Sequence, residues 1–400
     1  MTGSERTRTL ATTWATSVEK LSPESRRLLD WIAMLSAHPI PDSLIGVAVP
    51  GEAAGLLRML GRVFRRTARD RSAASAGATS ARAGLYAYSL ITRATGEDGQ
   101  GFVVHRLVQD FARRAMTEER RDEALREALG WVNAAFVGDP QDVRSWPVLD
   151  PLAPHALAVA RRADEAGIAE PTAWLINQLA LLSYAKARYA EAEPLYRRAL
   201  AIREKTLGAD HPQVATGLNN LASLLDATNR RAEAEPLHRR ALAIWEKSLG
   251  PDHPQVATGL NNLAGLLKDT NRRGEAEALM RRALAIDEKS LGSDHPDVAH
   301  RLNNLAELLR ATNRLAEAEP LYRRALTILE KSLGPDHPNV ATALNNLAVL
   351  LKDTNRRGEA EPLMRRALAI YEKSLGADHP STVNARGNLG ALEAERNRRT

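Results

Sequence analysis

The asparagine pairs Asn219/Asn220, Asn261/Asn262, Asn303/Asn304 and Asn345/Asn346 recur every 42 residues without a slip of register. A fixed period of this size constrains the fold more than any local motif does. Each copy is one supersecondary unit that cannot bury its own apolar face, so the copies must stack into a solenoid. The register runs back to Asn177/Gln178 and forward to Gly387/Asn388, which gives five full units from about 171 to 380 and one further helix.

Within a unit, apolar residues fall at helical spacing twice. In the second copy Val214, Leu218, Leu221, Leu224 and Leu225 share one face of a helix A. Ala234, Leu237, Ala241, Leu242 and Ile244 share one face of a helix B. Pro212 suits the first turn of helix A, and Gly250 suits the left-handed position after helix B. Pro236, inside "EAEPLHRR", reads either as the first turn of a helix that starts near 231 or 232 or as a mild kink. The expected fold is mostly α, an α-solenoid of helix pairs over 171–397. Composition agrees, because Ala, Leu, Arg and Glu dominate while aromatics make up 4%.

Small residues recur where helices must approach closely. Ala222, Ala234 and Ala241 return as Ala264/Ala276/Ala283, Ala306/Ala318/Ala325 and Ala348/Ala360/Ala367. Their separations, with Leu221 and the following "AL", resemble the tetratricopeptide repeat, lengthened in helix B and in "SLGPDHP" as in kinesin light chains and many bacterial signalling proteins. The resemblance implies a right-handed superhelix whose A helices line a concave groove. It also implies that Asn220, Asn262, Asn304 and Asn346 sit where peptide-binding members hold a ligand backbone. An amide offers a donor and an acceptor, which suits an extended peptide of any sequence. The other reading of the pairs is that Asn219, Asn261, Asn303, Asn345 and their neighbours bond adjacent helices and hold the stack. A nearby position carries Asp226, Lys268, Arg310 and Lys352, three of them basic, which points to a protein or peptide partner with an acidic segment or a free carboxylate.

The first 170 residues follow another pattern. "LSPESRRLLDWIAMLSAHPIPDSLI" reads as a helix capped at Ser22-Pro23 with Leu28, Leu29, Ile32 and Leu35 inward, and a second helix is expected over about 52–66. Residues 69–84, "RDRSAASAGATSARAG", are too small and polar to pack and read as a flexible loop. "LYAYSLITRAT" and "GQGFVVHRLVQDFARRAM" read as a strand, a turn, a second strand and a helix. The expectation is a winged-helix-like domain with a β-hairpin over 1–117, a helical connector over 118–170, then the repeats. This order, with "VHRLVQ" at 104–109, resembles the C-terminal part of bacterial STAND-class signalling ATPases. Their NB-ARC module precedes the winged helix, and their repeats act as a sensor arm. No G-x-x-x-x-G-K-[ST] loop occurs, so the resemblance implies a separated or truncated regulatory half, or an NB-ARC ATPase on another chain. It also offers His105 as a switch residue, against a structural role at a strand-to-helix junction.

Arg62, Arg65, Arg66 and Arg69 lie on one helical face, which is either a solvated surface or the DNA-contacting face of a winged-helix regulator. The net charge of +6 is small for this length, and both signs are interspersed, which weighs against nucleic acid. The five Asp-His pairs, Asp210/His211 to Asp378/His379, suggest metal sites or acid–base dyads, but geometry argues against both, because helices about 8–10 Å apart keep equivalent residues out of bonding range. Asp is expected to cap helix A or order the loop, with His packed before Pro. No nucleophile with a base and no convergent carboxylates occur, so no cofactor, no metal and no enzyme activity are expected. The absence of cysteine, of a signal peptide and of any long apolar run points to a cytoplasmic protein without membrane contact.

Overall fold

The computed structural model describes residues 14–46, 80–94 and 101–397. Its contacts divide the chain into two compact units, Met1–Leu182 and Ser183–Thr400.

The first unit is a small helical domain with short strands. After α1 (14–19), Ser22 caps α2 (Pro23–Met34) by accepting from the Ser25 N–H, as the Ser-Pro sequence predicts. Leu28, Leu29, Trp31 and Ile32 on α2 are buried, and the Trp31 ring lies 5.5 Å from that of Trp131. β1 (Ile40–Pro41), β2 (Ile91–Arg93) and β3 (Gly101–Val104) form an antiparallel sheet in the order β1-β3-β2. Gly101 permits that pairing, since a Cβ there would stand 2.6 Å from the Ile40 carbonyl oxygen. α3 (Asp42–Gly46) and α4 (80–87) lie before β2. α5 (Arg106–Ala115), α6 (Glu118–Ala135) and α7 (Trp146–Glu165) follow the sheet, and α8 (Glu170–Ala185) runs across the division between the units.

Two expectations change here. Only Ile91–Arg93 of "LYAYSLITRAT" is strand. Residues 80–87 are helix, with Ala81 and Leu85 buried four apart and the Ala81 carbonyl held by the Ser25 hydroxyl at 2.9 Å. The expected loop 69–84 therefore already contains helix from residue 80. The expected helix at 52–66 and the arginines 62, 65, 66 and 69 lie outside the described residues.

The motif "VHRLVQ" has a local physical account. His105 is the N-cap of α5, its Nδ1 accepting from the Leu107 N–H at 3.2 Å. Gln109, 2% exposed, donates to the Ile32 and Ser36 carbonyls at 3.0 and 3.1 Å. Arg113 donates to the Ala33 carbonyl, and Arg162 of α7 to that of Met34 at 3.1 Å. These side chains satisfy the orphan carbonyls at the C-terminus of α2 and place positive charge there.

The second unit is the repeat stack. After α9 (Tyr189–Leu207), A and B helices alternate as α10 (Pro212–Ala227), α11 (Arg231–Leu249), α12 (Pro254–Asp269), α13 (Arg273–Leu291), α14 (Pro296–Ala311), α15 (Leu315–Leu333), α16 (Pro338–Asp353) and α17 (Arg357–Leu375), before α18 (Pro380–Asn397). From α10 onward each A-to-B turn closes on an asparagine with positive φ, as at Asn229 (φ 62°), where the turn after α8 has Ala187 (φ 58°). The Arg230 N–H bonds the Leu225 carbonyl and the Asn229 N–H that of Asp226, a Schellman closure. Gly250 ends helix B at φ 90°, ψ 158°, a region essentially reserved for glycine rather than the left-handed helical well expected above. Pro236 is the sixth residue of α11, past the first turn. The Asp-His pairs are also corrected. His211, His253, His295 and His337 are the N-caps, each Nδ1 accepting from the N–H two residues on at 3.2 Å. The aspartates instead face the next repeat, as Asp210 does Lys247 at 2.9 Å.

The joint between one B helix and the next A helix is filled in complementary ways along the chain. Trp245 packs on Gly259, while the equivalent pairs are Leu329 with Ala343 and Tyr371 with Ala385. A Cβ on Gly259 would lie 3.0 Å from the Trp245 ring. Gly259→Ala is expected to destabilise the stack by about 1–3 kcal/mol, and Trp245→Leu, which copies the Leu329/Ala343 joint, to relieve the added strain. Urea denaturation of the two variants checks it. On α18, Arg386 and Glu393 stand at the places of buried Leu218 and Leu225 and pair with Glu372 and Arg365, so this face is polar.

Candidate functional site

Burial separates the two asparagines of each pair. The first is inside, with Asn219 at 5%, Asn261 at 7% and Asn303 at 8% exposure, although Asn345 is half-buried. The second, Asn220, Asn262, Asn304 or Asn346, is half-buried on the outward strip of its A helix. Helical geometry dictates this split, since neighbours along a helix point about 100° apart.

The pairs bond across repeats. Asn262 Nδ2 donates to Asn219 Oδ1 at 3.2 Å, Asn304 to Asn261 at 3.1 Å, Asn346 to Asn303 at 3.3 Å, and Asn388 to Asn345 at 3.1 Å. The stack-holding role read from sequence is therefore present, with each buried acceptor satisfied by the next repeat. The ladder also orients the strip. Each second asparagine gives one N–H to it, and among the described residues no bond is made by the Oδ1 of Asn262, Asn304 or Asn346. These oxygens form a row of like-oriented acceptors.

His238 completes the first rung. Its Nδ1 lies 3.0 Å from Asn219 Oδ1, which already accepts from Asn262, so His238 is the donor. It is 1% exposed, and burial pushes its pKa down to about 4. The unfolded chain binds this proton more readily, so stability falls as pH drops from about 6.5 towards 4. Met280 and Met364 fill the same place in later repeats. His238→Met should reduce the loss of melting temperature of the repeat unit between pH 6.5 and 4.5, as followed by calorimetry.

The basic positions are less free than their sequence implies. Lys268 Nζ is 2.8 Å from Glu307 Oε1, and Arg310 Nη1 is 2.8 Å from Asp353 Oδ2. Lys352 occupies the same station one repeat further on. Asp226 lies 3.2 Å from Arg231, which also reaches Asp269. Carboxylates of adjacent A helices thus balance Lys268 and Arg310, and the strip is zwitterionic rather than basic.

Repeat four departs from the others. His300 replaces Thr216, Thr258 and Thr342, and Arg301 replaces Gly217, Gly259 and Ala343. Arg301 Nε donates to Asp287 Oδ2 at 2.9 Å, and its Nη2 to Thr258 Oγ1 at 3.0 Å. Asp287 is 1% exposed, and burial raises its pKa although Arg301 opposes the shift. Sequence reading missed this joint. Its signal is the constant separation of fourteen residues between facing positions, 245 with 259 and 287 with 301. Among the described residues no group of three metal-ligating side chains occurs, and no helix is long and apolar enough to cross a membrane.

Stacked helix pairs with a polar, amide-lined strip define a class of repeat scaffold. The tetratricopeptide-repeat family profile matches residues 171–247, 230–289, 260–331 and 297–373, and the chain belongs to that family, whose fold is generally a non-catalytic scaffold for protein–protein interaction. Residues 16–121 match a domain of unknown function (DUF7779). No curated protein matches the chain. Among solved structures, a Podosopora anserina protein assigned as a kinesin light chain, with nearly identical TPR-like repeats, is 27% identical, covering 54% of this chain and 97% of its own at a TM-score of 0.40. BtubC (BKLC) from P. vanneervenii is 25% identical, with coverage of 61% and 94% and a TM-score of 0.45. A Rap protein complexed with competence and sporulation factor is 14% identical, with coverage of 70% and 84% and a TM-score of 0.49.

Proposed function

We propose that this protein is an interaction scaffold or sensor arm that holds an extended segment of a partner protein against the second-asparagine row, with Asn262, Asn304 and Asn346 as its main contacts. The observation that supports this is the row of oriented, uncommitted Oδ1 acceptors, a feature that stacking alone does not require on the outward face. The main chain of the partner is the primary target. An acidic side chain or free carboxylate would reach Lys268 or Arg310 by displacing Glu307 or Asp353, and Lys352 extends that line of cations. We read the first unit as the winged-helix-like half of a STAND-type regulator that reports to an NB-ARC ATPase on a separate chain. Its support is the element order and "VHRLVQ". No described residue favours the DNA-binding alternative, which rested on the arginines at 62–69.

The test is side-chain amide NMR on protein labelled at asparagine, titrated with a peptide selected from a displayed library of random sequences. The Nδ2 signals of Asn262, Asn304 and Asn346 should shift while those of Asn219 and Asn261 stay in place. Shifts confined to other surfaces would refute the assignment.

A further inference from the structure

Resting on that reading, we infer that the captured segment lies on the strip as a polyproline II helix and contributes one backbone N–H to each repeat, three residues apart. The ladder joins consecutive A helices directly, with Asn–Asn bonds of 3.1–3.3 Å, so the acceptor row advances by one helix spacing per repeat. Packed helices lie about 8–10 Å apart. A ligand that uses every acceptor must present an N–H on one side at that interval.

Only one regular backbone does so. Polyproline II has three residues per turn and rises 3.1 Å per residue, so equivalent N–H groups recur about every 9.3 Å, and none is engaged internally. In a β-strand successive residues face opposite sides at about 3.3 Å each, so groups on one side recur at about 6.6 or 13 Å and miss alternate acceptors. An α-helix has already used its N–H groups. The acceptor character matters as well. The ladder turns Nδ2 towards the preceding repeat, so the strip presents Oδ1, and polyproline II leaves the matching donors exposed. The partner is therefore a segment that tolerates proline at two positions in three and excludes it at the third.

The experiment is an N-methyl scan. Peptides of about 12 residues are selected from a displayed random library against the intact chain, with the Asn262→Ala/Asn304→Ala/Asn346→Ala chain as counter-selection. The tightest binder is then resynthesised with each backbone nitrogen methylated in turn. Methylation at every third residue should weaken binding at least about tenfold and elsewhere less than about threefold. The Gly259→Ala chain, which strains the Trp245 joint but leaves every ladder bond in place, should show the same period and so serves as the control for stability. A period of two, or sensitivity without a period, overturns the polyproline II assignment and leaves the groove reading in place. If no peptide distinguishes the wild type from the counter-selection chain, the groove reading itself fails.

Discussion

Arg301→Ala should destabilise the repeat unit by about 3–5 kcal/mol, the largest effect expected of any single truncation here. Among the described residues the guanidinium is the one cation bonded to Asp287, whose Oδ1 has no hydrogen-bond partner there and whose side chain is 1% exposed. Removing Arg301 strands a carboxylate in the joint and takes away the guanidinium donor to Thr258, whose hydroxyl keeps its bond to the Pro254 carbonyl. The chain itself supplies the rescue. One repeat later the same joint is built from Leu329 and Ala343, both buried. Asp287→Leu/Arg301→Ala should therefore recover most or all of the loss, since well-packed apolar replacements of buried ion pairs are often neutral or stabilising by about 1–4 kcal/mol. Urea denaturation of the wild type, the single variant and the double variant measures the cycle. A single variant within about 0.5 kcal/mol of wild type would mean that the pair is hydrated rather than buried.

The contrast between this joint and its neighbours shows what a repeat sequence makes legible. The 42-residue period, the helix pairs, their alanine contacts and the proline that opens helix A were readable, because each rests on residues close together in the chain, whereas Gly250 takes a different positive-φ conformation from the one expected. The bond from the second asparagine of one repeat to the first of the repeat before it was not readable, because it depends on which of two adjacent side chains faces the next repeat. The same reason hid the charge compensation. Glu193 with Arg230, Glu235 with Arg272, Glu277 with Arg314 and Glu319 with Arg356 are each paired at 2.6–2.8 Å across repeats. Their constant separation of 37 residues is the signal that reveals the pairing once the stack is assumed. Glu307 hides better, since Ser223, Gly265 and Val349 hold its place elsewhere and give no warning that Lys268 is matched. In the first unit, aromatic and β-branched residues of "LYAYSLIT" imitated a strand, while the helical spacing of Ala81 and Leu85 decided the outcome.

The second large effect concerns binding, and it follows from the division of labour in the ladder. Asn262→Ala/Asn304→Ala/Asn346→Ala and Asn219→Ala/Asn261→Ala/Asn303→Ala remove the same three ladder hydrogen bonds, one set from the donor side and the other from the acceptor side, and the acceptor set also removes the bond from His238 to Asn219. Each bond is worth about 1 kcal/mol, so both triple variants should lose stability, the acceptor set more, for its buried cavities and for the His238 donor it leaves without Asn219. Only the donor set strips the outward amides. Calorimetric titration of a library-selected peptide into the two variants, at a temperature where both are folded, is the most direct measurement of the central claim. The donor-side variant should lose at least about a hundredfold in affinity, close to 2.7 kcal/mol, while the acceptor-side variant stays within about tenfold of wild type. Equal losses in both, or none in the donor-side variant, would make the asparagines part of the stack alone.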